Sequence, residues 1–270
     1  MALHSFKAGD GARIVYDLHG DPASRSRALL VHSLAMNHAY WHPVAERLSK
    51  AGVCVVALDC RGHGGSDKPA GPYAIERFAD DLRDLLDALG WDRAVVGGSS
   101  MGGSVTLAFA ARHPTRTAGL ALIDTTAWYG EDAPKAWASR AKAAQDNGLR
   151  SLIDFQLTRW FGDDFKIAHP EVVKACVDTF LANDVAAYAA VCNMLGAFDL
   201  RDKLAAIAAP TRVVVGEEDY ATPPAMAQAL HSAIKGSTYL LLPKARHLTP
   251  LERPDEVTRE ILATLEMTKA

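Results

Sequence analysis

Gly98-Ser99-Ser100-Met101-Gly102-Gly103 lies between a short apolar run, Ala94-Val95-Val96-Gly97, and a longer one that holds Val105, Leu107, Ala108, Phe109 and Ala111. The first run has the length of a buried strand, and the second suits a helix. A serine at the tip of such a strand-to-helix turn is forced into a strained backbone conformation, so the positions around it must lack side-chain bulk. Gly98, Gly102 and Gly103 meet that need. The turn lifts the Ser100 hydroxyl clear of the chain, sets it near the positive end of the following helix, and leaves the Met101 N–H free to donate to a developing oxyanion. Nucleotide-binding readings of these glycines fail on spacing, because neither Gly-x-Gly-x-x-Gly nor Gly-Lys-Ser/Thr is present here. A reactive serine still needs a base and an acid to orient it, and both have to come from elsewhere in the chain.

Upstream, residues 3 to 7 and 12 to 18 alternate weakly around Gly9-Asp10-Gly11 and read as a hairpin. Ala28 to His32 and Val53 to Leu58 read as buried strands. The loop after the first of these, Ser33 to Asn37, places the Leu34 N–H where a second oxyanion donor belongs in a serine-hydrolase architecture. Asp59, Arg61 and His63, in the glycine-rich turn after the second, read as residues that hold the turn. His32, His38 and His42 raise the question of a metal. The residue after His38 is alanine instead of the metalloprotease glutamate, so His32 is expected to bond within its loop and His42 to open a helix. Ile75 to Leu89 is an amphipathic helix with Phe78, Leu82, Leu85, Leu86 and Leu89 on its apolar face.

Downstream, Gly119 to Ile123 is a further strand, and then strand patterning stops. Residues 128 to 200 read as helices broken near Gly130, Gly148, Gly162, His169-Pro170 and Asn183-Asp184, rich in large apolar side chains. Strand patterning resumes at Thr211 to Gly216 and at Thr238 to Pro243, and a last helix spans Asp255 to Leu265 behind Pro254. Strands alternating with helices imply an α/β fold with a mainly parallel sheet. The expected division is a core of residues 1–127 and 201–270 with a helical cap, residues 128–200, inserted between them.

Composition narrows the partners. A chain of 270 residues, 49% hydrophobic, can bury a sizeable core. Its net charge of −3 offers no basic stripe for nucleic acid and no polybasic patch for a membrane. Cys54, Cys60, Cys176 and Cys192 lack metal or redox spacing and read as reduced core residues. With no signal peptide or membrane-length apolar run, a cytoplasmic location is expected. A homo-oligomer is compatible with the sequence, which carries no signature for or against one.

Asp219 follows the valine run of one late strand and His247 follows the last strand, so Ser100, Asp219 and His247 occur in the order serine, acid, histidine, each just past a strand. That order is the one used on the α/β-hydrolase fold. Asp124 and Glu218 are competing acids. Val31-His-Ser-Leu34, Asp59-Cys-Arg-Gly-His-Gly-Gly-Ser66, Gly71-Pro-Tyr73, Leu85-Leu-Asp-Ala-Leu89, the Ser100 turn, Asp124-Thr-Thr-Ala-Trp128 and Phe198-Asp-Leu-Arg201 extend the match along the whole chain. The sequence resembles the α/β-hydrolase superfamily and, within it, the β-ketoadipate (3-oxoadipate) enol-lactonase group.

The resemblance implies hydrolysis of an ester or lactone, 3-oxoadipate enol-lactone included, through an acyl-enzyme that needs no metal or cofactor. Its implied alternatives are a cofactor-free haloperoxidase-like perhydrolase or general esterase, and a small-molecule receptor on the same fold. Trp128, Trp137, Trp160, Tyr220 and Leu248 are candidate pocket residues, and Arg140, Arg159 or another cation would meet a substrate carboxylate. The chain departs from the group at Ser33 and Ala35, where glycines are usual, and at Ser99 and Met101, which replace leucines and are expected to alter the pocket floor.

Overall fold

The computed structural model describes residues 3–268, so the outermost two residues at each end of the expected core lie outside it. Eight strands form one sheet: β1 (His4–Lys7), β2 (Arg13–His19), β3 (Arg27–Val31), β4 (Cys54–Leu58), β5 (Ala94–Ser99), β6 (Thr117–Ile123), β7 (Thr211–Gly216) and β8 (Thr238–Leu242). Their spatial order is β1-β2-β4-β3-β5-β6-β7-β8. β1 and β2 are antiparallel to their neighbours, and every later pairing is parallel.

Helices cover both faces of a parallel sheet, which is why its strands are continuous apolar runs instead of alternating ones. Every residue of β4 and β5 is buried. The core helices are α1 (His42–Lys50), α2 (Ile75–Ala88) and α3 (Met101–Arg112). On α2, Phe78, Leu82, Leu85 and Leu86 are buried as their spacing requires; so is Asp81, which the Arg61 guanidinium holds through two bonds of 2.7 Å.

Between β6 and β7 the chain leaves the sheet for α4 (Ala133–Asn147), α5 (Ile153–Trp160), α6 (Asp163–Ala168), α7 (Pro170–Leu181) and α8 (Val185–Ala197). The breaks fall where glycine or an X-Pro step interrupts helix geometry, at Gly148, Gly162 and His169-Pro170. The Asp184 side chain caps α8 by accepting from the Ala187 N–H at 2.8 Å. α4 packs along α8, and Tyr129 joins Trp137 and Phe198 in an aromatic cluster at their base. The chain closes with α9 (Pro224–Ala233), the short α10 (Thr249–Glu252) and α11 (Pro254–Met267), whose Val257, Ile261 and Leu265 face the core. No single helix among the described residues is long and apolar enough to cross a membrane.

One topological fact positions the site. From β3 the chain runs to β4 on one side, and from β4 it returns across β3 to β5 on the other, so the β3 and β5 tips are neighbours where the connections diverge. Such a switch point opens a crevice at the carboxyl edge of the sheet. Val31 pairs with Gly98 there, which brings the Ser33–Asn37 loop beside Ser100.

Candidate active site

Ser100 has φ 56° and ψ −119°, a strained conformation for a residue with a side chain. Its N–H donates to the Ile123 carbonyl at 2.9 Å, and its carbonyl accepts from the Thr125 hydroxyl at 2.7 Å. The glycines around it are required by close approach. A Cβ at Gly98 would collide with the Gly102 carbonyl, one at Gly102 with the Val31 carbonyl, and one at Gly103 with the Thr125 side chain. Met101 is the first residue of α3, where a backbone N–H has no partner within the helix. Both Met101 and Ser99 are fully buried and outside the cavity lining, so they do not form the pocket floor expected of them; Ser99 instead bonds the Tyr40 hydroxyl at 2.8 Å.

The Ser100 Oγ lies 2.8 Å from His247 Nε2, and His247 Nδ1 lies 2.8 Å from Asp219 Oδ2. Asp219 is itself held. Its Oδ1 accepts from the Ala221 N–H at 2.7 Å and the Thr222 N–H at 2.9 Å, and its Oδ2 accepts from the Thr222 hydroxyl at 2.8 Å. The Nδ1–H tautomer of His247 donates to this carboxylate and leaves Nε2 as an acceptor for the serine proton. The histidine loop is tied to the inserted helices, since the His247 and Leu248 N–H groups donate to the Arg159 and Trp160 carbonyls at 3.2 and 3.0 Å.

The competing acids are engaged elsewhere. Asp124 is fully buried; its Oδ1 accepts from the Gly216 N–H at 3.1 Å and its Oδ2 from the Thr249 hydroxyl at 2.6 Å. Burial, followed by the nearby Asp219 charge, pushes its carboxyl well above the usual range. Its bonds join the end of β7 to the loop carrying His247. Glu218 turns toward Arg246, 3.5 Å away. His32 bonds the Ser33 carbonyl through Nδ1 at 2.8 Å and accepts the Cys60 N–H through Nε2 at 3.0 Å, and His42 is the first residue of α1. Asp59 holds its turn by accepting the Gly65 N–H at 2.7 Å.

A cavity of ≈ 630 Å³ opens above the serine, lined among others by Leu34, Tyr129, Trp137, Trp160, Tyr220 and His247. Trp128 and Leu248 do not line it. Trp128 lies beneath the Arg201 guanidinium, 3.5 Å from the ring centre, and Leu248 is wholly buried where its N–H meets Trp160. Tyr129 faces Ser100, and burial raises its phenol above the ordinary tyrosine range. Nothing in its local pattern marked it, although it directly follows the Asp124–Trp128 motif.

Arg140 and Arg159 also line the cavity. Arg140 donates through Nε to the Tyr188 hydroxyl at 2.7 Å, while the Arg159 guanidinium stacks on Phe155, 4.2 Å from its centre. Among the described residues neither pairs with a carboxylate. Burial and then the like charge of Arg140 lower the Arg159 pKa.

Ala35 adopts φ 61°, the left-handed conformation that glycine takes without cost, which explains why a glycine is usual there. Its carbonyl accepts from Asn183 Nδ2 at 2.8 Å, so the turn between α7 and α8 braces the loop that carries Leu34.

A mainly parallel sheet with a serine elbow at the tip of β5, and a histidine and an aspartate converging on it from later loops, defines the α/β-hydrolase class. The family model described as the alpha/beta hydrolase fold matches residues 29–254, and the chain belongs to that family. Among relatives, 3-oxoadipate enol-lactonase 2 of Acinetobacter baylyi is 31% identical over 244 residues, 90% of each chain. The crystal structure of the enol-lactonase from Burkholderia xenovorans LB400 superposes with a TM-score of 0.92 at 35% identity, covering 97% of this chain and 100% of that one. A malate-bound thermophilic esterase from Thermogutta terrifontis gives 0.92 at 29% identity and covers 100% of both chains.

Proposed function

We propose that the protein is a serine hydrolase that opens a small carboxylic ester or lactone bearing a carboxylate, with 3-oxoadipate enol-lactone as the leading substrate, through an acyl-enzyme. The observation that carries this reading is the unbroken Ser100–His247–Asp219 hydrogen-bond chain, which opens into a cavity where two arginines lack carboxylate partners among the described residues. His247 Nε2 takes the Ser100 proton as Oγ attacks the carbonyl carbon, and the Leu34 and Met101 N–H groups hold the resulting oxyanion. Collapse breaks the ester C–O bond, and His247 returns its proton to the departing oxygen. Water, deprotonated by the same imidazole, then attacks the acyl carbon and releases Ser100. Asp219 fixes the His247 tautomer and stabilises the imidazolium that forms in both halves.

Residues 128–200 act as a cap over the core formed by 1–127 and 201–270. The cap supplies Tyr129, Trp137, Trp160 and both cavity arginines, so it sets specificity while the core supplies the chemistry. Arg159, whose guanidinium has no hydrogen-bonded partner among the described residues, is the residue assigned to the substrate carboxylate, and the 3-oxoadipate enol-lactonase relatives support a substrate of that charge.

The test compares purified protein with Ser100→Ala on the enol-lactone, a short neutral aryl ester and a peroxide-dependent halogenation assay. The variant is expected to lose on the order of a million-fold in turnover, as for nucleophiles acting within a triad. Ester cleavage at near wild-type rate in the variant refutes the mechanism, and preference for the neutral ester or for peroxide chemistry refutes the substrate assignment.

A further inference from the structure

We propose that a second site, outside the Ser100 cavity, binds one divalent first-row transition ion, zinc foremost, through Asp17, His38 and His42. The ligand atoms of these three side chains lie within 4.8 Å of one another. They come from separate parts of the fold: Asp17 from β2, His38 from the single turn after the Ser33–Asn37 loop, and His42 from the start of α1. His38 and His42 are four residues apart, a spacing at which two ligands can share a helix face. The structure instead puts His38 ahead of the helix, and the carboxylate arrives from the sheet.

Asp17 supplies the independent observation. It is only 1% exposed, and among the described residues no lysine or arginine reaches it. Its Oδ2 lies 2.7 Å from His42 Nε2 and 2.9 Å from His19 Nε2, while its buried Oδ1 has no hydrogen-bond partner among the described residues. A buried carboxylate with neither a cationic side chain nor a full set of donors is costly to hold charged, and a cation bound at Oδ2 supplies the missing counter-charge.

His38 is prepared in the way metal-bound histidines are. Its Nδ1 lies 2.8 Å from Asp59 Oδ1, the same oxygen that accepts its backbone N–H at 2.7 Å. The ring orientation is thereby fixed, with Nδ1–H donating to a carboxylate and Nε2 left as the ligand. His38 and His42 are partly open to solvent, which gives an ion a route in, and His19 keeps its bond to Asp17 as a supporting contact.

Two imidazoles and one carboxylate suit zinc or its neighbours in the first row, whereas magnesium and calcium favour all-oxygen sets. Metal–ligand bonds of about 2.0–2.1 Å in a tetrahedral site set ligands roughly 3.3 Å apart. His42 Nε2 and Asp17 Oδ2 therefore separate slightly, and His38 closes in. The proton between His42 and Asp17 moves to His42 Nδ1 or to solvent, and water takes the fourth position. The ion would clamp β2 to the segment next to Leu34 and stabilise the folded chain by mass action.

The test titrates metal-free, full-length protein at neutral pH with zinc chloride by calorimetry and with cobalt chloride by visible absorption. One ion per chain, a tetrahedral cobalt spectrum and a melting temperature that rises with zinc are expected. His42→Ala and His38→Ala should each weaken binding by at least ~10-fold, a loss of the size seen even for groups behind the ligands. His42 is the more exposed of the two, so its variant should keep the wild-type circular dichroism. His231→Ala and His247→Ala should bind as wild type. Absence of saturable one-to-one binding overturns the proposal, as does binding that survives both ligand variants or disappears in His247→Ala, which would place the ion at Ser100.

Discussion

Replacing Asp219 by asparagine exchanges one carboxylate oxygen for an amide nitrogen and should silence the enzyme without unfolding it. The direction follows from the donors around the carboxylate. Two backbone N–H groups, from Ala221 and Thr222, aim at the Oδ1 position, so the amide oxygen of the new side chain has to sit there. The amide NH₂ then occupies the Oδ2 position facing His247 Nδ1. A nitrogen that met an acceptor now meets a donor, and the imidazole responds by carrying its proton on Nε2. That nitrogen then donates to Ser100 Oγ and cannot accept its proton. The Thr222 hydroxyl rotates from donor to acceptor, so no buried polar group is orphaned and stability should change by no more than ~1 kcal/mol. A wrong tautomer in a triad costs about 10⁴ in kcat, or roughly 5–6 kcal/mol of transition-state stabilisation. The assay is steady-state hydrolysis of an aryl ester, with urea unfolding as the control. A folded Asp219→Asn protein that keeps more than about a tenth of wild-type kcat would refute this assignment. Asp124→Asn would then be the variant to compare, since Asp124 is the other acid next to the histidine loop.

Arg159→Met preserves packing on Phe155 while removing the charge. It should lower kcat/KM for the carboxylate-bearing lactone by ~10–100-fold, the worth of a charge-assisted hydrogen bond, and leave a neutral ester of similar size nearly unaffected. Equal losses on both substrates would count against an anion-binding role. Asn183→Ala removes the donor to the Ala35 carbonyl, so kcat should fall several-fold with little change in KM, at a stability cost of about 1–2 kcal/mol; an unchanged kcat would show that the Leu34 loop holds its shape alone. Stability should also decline as the solution is acidified. Burial, reinforced by His32, pulls the His63 pKa down to about 3. The unfolded chain takes up that proton below about pH 6.5 and the folded chain does not until far lower, so stability is lost as pH falls from 6.5 toward 3, by ~2 kcal/mol at pH 5. Asp124 acts in the opposite sense, because its raised pKa contributes stability below its unfolded value of 3.8 that is lost as pH rises through the folded one. Urea midpoints near pH 7 and pH 5 should therefore converge in His63→Gln; an unaltered pH dependence would assign the loss to other groups.

Much of this protein was readable one segment at a time. Strands such as Val53 to Leu58 and the helix after Ile75 follow from local periodicity, and the glycines around Ser100 announce a turn that tolerates no Cβ. The serine, acid, histidine order narrows the fold because chain order is itself a sequence property. Which side chains meet is another matter. Asp124 and Asp219 both follow strands that end at the same edge, and no local feature separates them; hydrogen bonds from Thr249 and Gly216 to one, and from His247 to the other, do. Trp128 and Trp137 look alike as apolar candidates, yet one lies beneath Arg201 and the other lines the cavity. Only part of the Asp17, His38 and His42 cluster showed in the sequence: the two histidines raise the question of a metal, but Asp17 lies on a strand that only the assembled sheet brings to them. Short-range patterns report backbone state because that state depends on neighbours along the chain. Side-chain direction, burial and partnership depend on packing between segments far apart in sequence, and only the tertiary structure settles them.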